Sequence, residues 1–231
     1  MIHQTPAKIY KAHQRGLTES NRQRLYATFN FDNYQDKSRL PFGSLTVLNE
    51  ETLAPNHSIA RQPETNIVSL LIPLTGALKY SHSAEDDHTI VPGEIAVLPF
   101  NKTMITLTNP YEDVLINYLY ITFSGNGQAN ESEIATVNFE ERNTLHQFIS
   151  QHNINGYMAI FDGRRETIYK LKDPANGLFL FVINGAFEVQ GRLLEERDGL
   201  ALWNTSEADM EALSENAIIL VFEVPLIGFT S

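Results

Sequence analysis

One stretch of this sequence occurs twice. Leu70 to Tyr80 reads Leu-Leu-Ile-Pro-Leu-Thr-Gly-Ala-Leu-Lys-Tyr, and Phe179 to Val189 reads Phe-Leu-Phe-Val-Ile-Asn-Gly-Ala-Phe-Glu-Val. Each copy is an apolar run, a Gly-Ala pair and a second strand-like run. Each is followed by a polar or acidic turn and then by a glycine opening another apolar run, at Pro92-Gly93-Glu94 and at Arg197-Asp198-Gly199. Self-similarity on this scale implies that one domain has been duplicated, so two like folds are expected.

The units are all-β. From Phe42 to Phe123 the apolar runs are short and separated by turn residues, at Leu45–Leu48, Ile67–Leu74, Glu94–Leu98, Met104–Leu107 and Val114–Phe123. Short runs at short spacing predict a sandwich or barrel. In the last run Ile116, Tyr118, Tyr120 and Thr122 alternate with Leu115, Asn117, Leu119 and Ile121, the period of a strand. The same pattern resumes at Tyr157–Phe161, Glu166–Leu171, Leu178–Ile183, Ala186–Val189, Gly199–Trp203 and Ile218–Val224. Between them, Ser124 to Glu133 is polar and glycine-bearing, with nothing to bury. The expected organisation is a first domain over 1–124, a linker over 125–137 and a second domain over 138–231. Asn138 with Glu141 resembles a capping box, and Leu145, Phe148 and Ile149 share a helical face, so a short helix is predicted to lead the second domain.

Composition narrows the chemistry. With 17 Lys and Arg against 28 Asp and Glu, the formal charge of -11 disfavours nucleic-acid backbones and anionic membranes as direct partners. Without cysteine there is no thiol nucleophile, disulfide or zinc knuckle. The first residues carry Lys8, Lys11 and Arg15 and no apolar run of signal-peptide length, so the expected location is the cytoplasm.

A strand, a glycine turn, a second strand and a Gly-led third strand, in two copies, resembles the cupin jelly roll duplicated as a bicupin. The opening segments narrow this. Thr28-Phe29-Asn30-Phe31-Asp32-Asn33-Tyr34, Phe42-Gly43-Ser44-Leu45-Thr46-Val47-Leu48-Asn49-Glu50 and Leu53-Ala54-Pro55-Asn56 are similar to the beginning of the pirin family. The likeness extends over nearly the whole chain, to Phe222-Glu223-Val224-Pro225. The resemblance implies two tandem cupin barrels. It also implies an iron-like metal in the first barrel, held by a His-Pro-His and a His-Ser-Glu pair, which in some members supports quercetin 2,3-dioxygenase activity.

Counting back from Gly76-Ala77-Leu78 places Gln62, Pro63 and Glu64 at the His-Pro-His positions, and the Asn109-Pro110 anchor places Ile105, Thr106 and Leu107 at His-Ser-Glu. Of four donors, Glu64 alone remains ionisable. One carboxylate and one amide are too few for a transition ion, so no cofactor is expected and the family metal is expected to be absent. A relocated site built from His57 and Glu64 lacks any His-x-His or His-Glu-x-x-His spacing. Gln62 and Glu64 could orient a polar ligand against an apolar wall of Met104, Ile105 and Leu107; equally, Ile105 and Leu107 could mark a filled interior. His82 and His88, in an acidic turn with Glu85, Asp86 and Asp87, read as a solvated hairpin, and His146 and His152 as surface residues.

The function expected is therefore a non-catalytic, pirin-like protein that binds a small molecule in its first barrel or a protein partner. The alternative is a quercetinase-type dioxygenase with moved ligands, or a cupin enzyme in which Glu64 acts as general base.

Overall fold

The computed structural model describes residues 5–62, 66–82, 86–98, 104–125 and 132–229. Glu64 and the turn at 83–85 lie outside them, so the roles expected of Glu64 and Glu85 concern residues that are not described. The strands in chain order begin with β1 (Ala7–Tyr10), β2 (Gly16–Glu19), β3 (Gln23–Ala27), β4 (Leu45–Leu53), β5 (Ser58–Arg61), β6 (Ile67–Thr75) and β7 (Leu78–Ser81). Next come β8 (Asp87–Ile90), β9 (Glu94–Leu98), β10 (Ile105–Thr108), β11 (Ile116–Ser124), β12 (Glu133–Thr136), β13 (His146–Gln151) and β14 (Ile154–Phe161). The last are β15 (Glu166–Lys170), β16 (Asn176–Asn184), β17 (Phe187–Val189), β18 (Arg192–Leu194), β19 (Gly199–Leu202), β20 (Glu207–Ala212) and β21 (Ala217–Pro225). Among the described residues the only helical segment is the 3-10 turn Ala12–Gln14.

Two compact units result. One comprises Gly16–Pro41 and Leu45–Thr136; the other comprises Met1–Arg15, Phe42–Ser44 and Val137–Ser231. The chain thus divides between Thr136 and Val137, while two N-terminal pieces group with the C-terminal unit. In the first barrel a seven-stranded sheet, β12-β9-β6-β11-β4-β3-β2, accompanies a four-stranded sheet, β5-β10-β7-β8. In the second, β1-β19-β16-β21-β14-β13 accompanies β15-β20-β17-β18. The repeat is visible strand for strand, since β6-β11-β4 recurs as β16-β21-β14 and β5-β10-β7-β8 as β15-β20-β17-β18. Beside β19, where the first barrel places β12 beside β9, the second barrel uses β1, paired from Ala7 with Leu202 to Tyr10 with Gly199.

The Gly-Ala pair has the same physical reason in both copies. Gly76 and Gly185 have φ of +76° and +77°, a left-handed conformation that costs glycine little. A Cβ would also lie 2.7 Å from Ile116 Cγ2 in the first copy and 2.2 Å from Ser214 Oγ in the second.

The expected linker helix does not form. His146–Gln151 is a strand, β13, antiparallel to β14. Its register slips between Gln147 and Ile149, leaving Phe148 as a bulge residue, and Phe148 and Ile149 are both buried. Gly156 opposite makes the room, because a Cβ there would lie 2.6 Å from Ile149 and 2.9 Å from Phe148. A bulge places two successive apolar residues inward and so imitates helical spacing. Asn138 does cap, its side-chain oxygen accepting from the Glu140 N–H at 3.1 Å, but it caps a turn.

Candidate functional site

Cross-strand register defines the lining of the first barrel. On β10, Ile105 faces Arg61 and Leu107 faces Ile59 of β5; across β7, Leu107 faces Tyr80. Ile105 and Leu107 are fully buried, in one apolar cluster with Leu53, Leu71, Tyr118 and Tyr120. The structure therefore brings two of the sequence-derived positions, Ile105 and Leu107, to one interior face. It does not bring the other described ones there. Gln62, just past the end of β5, is exposed, and Met104 is 53% exposed. His57 precedes β5 at its far end, its Nδ1 2.8 Å from the Pro55 carbonyl oxygen.

The inward residue beside Ile105 is Arg61, at the end of β5. β6 carries a register slip against β11, where Asn117 faces Thr75 and Tyr118 faces Pro73, so Leu74 is an extra residue. The pleat, with Ile59 and Arg61 facing Leu107 and Ile105, was the signal that could have found Arg61.

Arg61 belongs to a buried network. Its Nη2 donates to both oxygens of Glu51 at 2.9 Å, and Glu51 is fully buried. Glu51 Oε2 also accepts from the Tyr118 hydroxyl at 2.8 Å and from Gln23 Nε2 at 2.8 Å. A buried carboxylate needs this company, since an unpaired buried charge is strongly destabilising. Burial, followed by the charge and hydrogen bond of Glu51, holds the Tyr118 phenol well above its usual range, so it stays a neutral donor. Burial works against the Arg61 charge, but Glu51 outweighs it and the guanidinium is raised. The guanidinium carbon lies 5.6 Å from the Phe31 ring centroid and 5.9 Å from that of Tyr120.

Around this network are polar atoms without hydrogen-bond partners among the described residues. Asn49, 1% exposed, faces Tyr120 on one side and Ala27 on the other, and both of its amide atoms are buried and unpartnered. Arg61 Nε and both ring nitrogens of His82 are in the same condition. His82 meets Tyr80 edge-on at 6.2 Å, while His88 stacks on Tyr80 at 5.1 Å and contacts Asp86 at 2.7 Å. His82 and His88 thus flank a buried tyrosine, while Asp86 and Asp87 beside them are exposed. Each orphaned buried group costs about 1–3 kcal/mol, a cost a protein interior rarely bears without a reason. Among the described residues, no three His, Asp or Glu side chains are grouped to hold a metal ion.

The second barrel has its own buried acid. Its interior is apolar, with Phe161, Leu180, Phe187, Met210 and Val221 in one cluster. Fully buried Glu223 accepts from the Tyr169 hydroxyl at 2.6 Å, Asn176 Nδ2 at 2.8 Å, and the backbone N–H groups of Lys172 and Asp173 at 2.8 and 2.9 Å. Burial, then the hydrogen bond to Glu223, pushes the Tyr169 phenol far up. Met210 pairs with Val189 as Leu107 pairs with Tyr80, and Ala208 faces Tyr169 as Ile105 faces Arg61. Neither barrel offers an imidazole or carboxylate donor at the two β10-type positions.

Two antiparallel barrels of this topology in one chain define a bicupin. Residues 140–224 match the family described as the quercetinase C-terminal cupin domain. The chain is 21% identical over 231 residues to quercetin 2,3-dioxygenase of Escherichia coli K12, covering 94% of this chain and 98% of the relative. A Pasteurella multocida relative with a provisional quercetin 2,3-dioxygenase name is 24% identical over 235 residues, covering 94% and 99%. Among solved structures, YhhW from E. coli superposes with a TM-score of 0.84 at 17% identity over 97% of this chain and 100% of that one. The nickel(II) complex of that bacterial pirin gives 0.85 at 16% identity, over 96% and 100%. The C-terminal barrel thus carries a quercetinase-type cupin domain, and the chain as a whole has the fold of the bacterial pirins.

Proposed function

We propose that this pirin-like bicupin does not use the family's metal and acts by binding, with the interior of the first barrel as the site for a small polar molecule. The observation that carries this reading is the guanidinium of Arg61 beside buried Ile105. A positive charge and two aliphatic side chains, Ile105 and Leu107, line the face from which imidazole and carboxylate donors would have to reach a divalent ion. Such a surface offers a transition ion no imidazole, and its one described carboxylate, Glu51, is already taken up by Arg61. These side chains therefore do not fit an iron-like metal. The unpartnered amide of Asn49 supports a polar occupant, because an amide offers two donors and an acceptor.

Elemental analysis of purified protein tests it. The expected result is far below one equivalent of iron, nickel, copper, manganese or zinc. About one tightly held ion per chain, surviving dialysis against a chelator, would overturn the proposal.

A second reading rests on the name borne by the relatives. If the chain were a flavonol dioxygenase with displaced donors, or an enzyme using Glu64 as a base, quercetin would be consumed with oxygen uptake and Glu64→Gln would abolish it. Under the binding reading neither the native protein nor Glu64→Gln consumes quercetin.

A further inference from the structure

The second barrel, which the first-barrel reading leaves without a task, carries a cavity of about 370 Å³. This volume lies within the range of small-molecule sites. Its walls are the turn between β13 and β14, the segment between β15 and β16, and Glu223 beneath. We propose that this cavity is a binding site for a neutral polyhydroxylated molecule, of the sugar or polyol class.

Both walls are held in place before any ligand arrives. On one side, His152 and Asn153 have φ of +53° and +61°, the two left-handed residues of a tight hairpin, with Gln151 facing Ile154 across it. On the other, buried Glu223 takes the backbone N–H groups of Lys172 and Asp173 and the Asn176 amide, pinning that segment from inside. Asn155, 7% exposed, ties the sides together, its Oδ1 accepting from Ser150 Oγ at 3.0 Å, Gln147 Nε2 at 3.1 Å and Lys172 Nζ at 3.0 Å. A preorganised polar surface loses little entropy when it binds.

Charge selects the ligand class. The lining holds two carboxylates, Glu223 and Asp173, and one ammonium, Lys172, for a net of -1. An anion meets the repulsion of Glu223 and Asp173, which the ammonium of Lys172 offsets only in part. A cation finds Glu223 already engaged by four donors and only exposed Asp173 left to attract it. An apolar or flat aromatic ligand finds little to lie on, since Ile154 is the one aliphatic residue of the lining. What remains is a neutral molecule dense in hydroxyls, each both donor and acceptor. Lys172 is positioned to receive it: its ammonium has three donors and one acceptor, Asn155 Oδ1, among the described residues, and it lies 5.7 Å from the Tyr157 ring centroid.

Ligand-observed NMR and calorimetry on the full chain test the site with D-glucose, D-ribose, myo-inositol and glycerol, against malonate as the anion and choline as the cation. At least one polyol is expected to bind, malonate and choline to bind more weakly or not at all, and Lys172→Met to weaken the polyol about tenfold by removing one charged donor. Lys172 is exposed and its ammonium is bonded once, so this variant is expected to fold, which its thermal midpoint verifies. Failure of all four polyols at about 50 mM, a Kd far outside the useful range, overturns the proposal. So does tighter binding of malonate or choline than of every polyol, or polyol binding that Lys172→Met leaves unchanged.

Discussion

Among the described residues each barrel buries one glutamate completely, and the two solve the same electrostatic problem differently. Glu51 is held by side chains alone: a guanidinium from β5, a phenol from β11 and an amide from β3. Glu223 has no cationic side chain bonded to it; a phenol from β15, one amide and two backbone N–H groups share its charge. The residues that grip the two acids correspond, since Arg61 faces Ile105 and Tyr169 faces Ala208 at the same place in the repeat. Duplication preserved the strategy of a β5-type side chain reaching a buried acid, while the chemistry diverged. The first barrel has a charged network in its lining, and the second uses its acid to clamp a loop at the edge of a cavity.

Removing the cation from the first solution is expected to have the largest effect. Arg61→Met leaves Glu51 buried without a counter-charge, which costs about 3–5 kcal/mol in chemical denaturation. Combining it with Glu51→Gln restores much of that loss, and a cycle of the two variants isolates the coupling. If Arg61→Met costs under about 1 kcal/mol, the pair is no more than a surface ion pair and the contrast between the barrels is empty. Glu223→Ala comes next. It strips a shared acceptor from four donors, but the adjacent cavity admits water to some of them, so about 2–4 kcal/mol is expected. Faster amide exchange at Lys172 and Asp173, with the core strands unchanged, locates the effect in the clamp.

The fold was legible because its signals are local. Gly76 and Gly185 mark one turn twice, and the expected runs at Glu94–Leu98 and Glu166–Leu171 fall within a residue of β9 and β15. The failure at the linker has a local cause. The bulge at Phe148 adds a residue that sequence spacing cannot distinguish from ordinary chain, and it made a strand look like a helix. Met104 was placed in the pocket wall because it adjoins Ile105, yet a neighbour along a strand end can point to solvent. The clamp around Glu223 was not legible at all, since Tyr169 lies 54 residues away from it in the chain.

Tyr118 sharpens the comparison through pH. Its phenol is raised above the ordinary tyrosine value near 10, so folding favours its neutral form. The stability this contributes is fully present below about pH 10 and is lost as pH rises through the raised folded value. Tyrosinate absorbance should therefore lag the ordinary titration, and alkaline unfolding should complete it. Tyr118→Phe costs about 1.5–3 kcal/mol at neutral pH, the range for a hydrogen bond to a charged group, and its alkaline loss begins from a lower plateau but is shallower. An unchanged slope above pH 10 would show that other tyrosines carry the effect.

The smallest change has the opposite sign. Asn49 buries an amide that no described residue satisfies, so Asn49→Leu, which keeps the branched skeleton and discards the polarity, is expected to raise stability by about 1 kcal/mol. A residue retained at a cost to folding is what a binding site requires, and the same variant is expected to lose the first barrel's polar ligand. The two readouts separate the explanations. Gain of stability with loss of binding supports the proposed site, and gain without loss makes Asn49 a flaw in the packing. A loss of stability comparable to a broken hydrogen bond would instead mean that an ordered water already satisfies the amide, leaving the first barrel as closed as the core of the second.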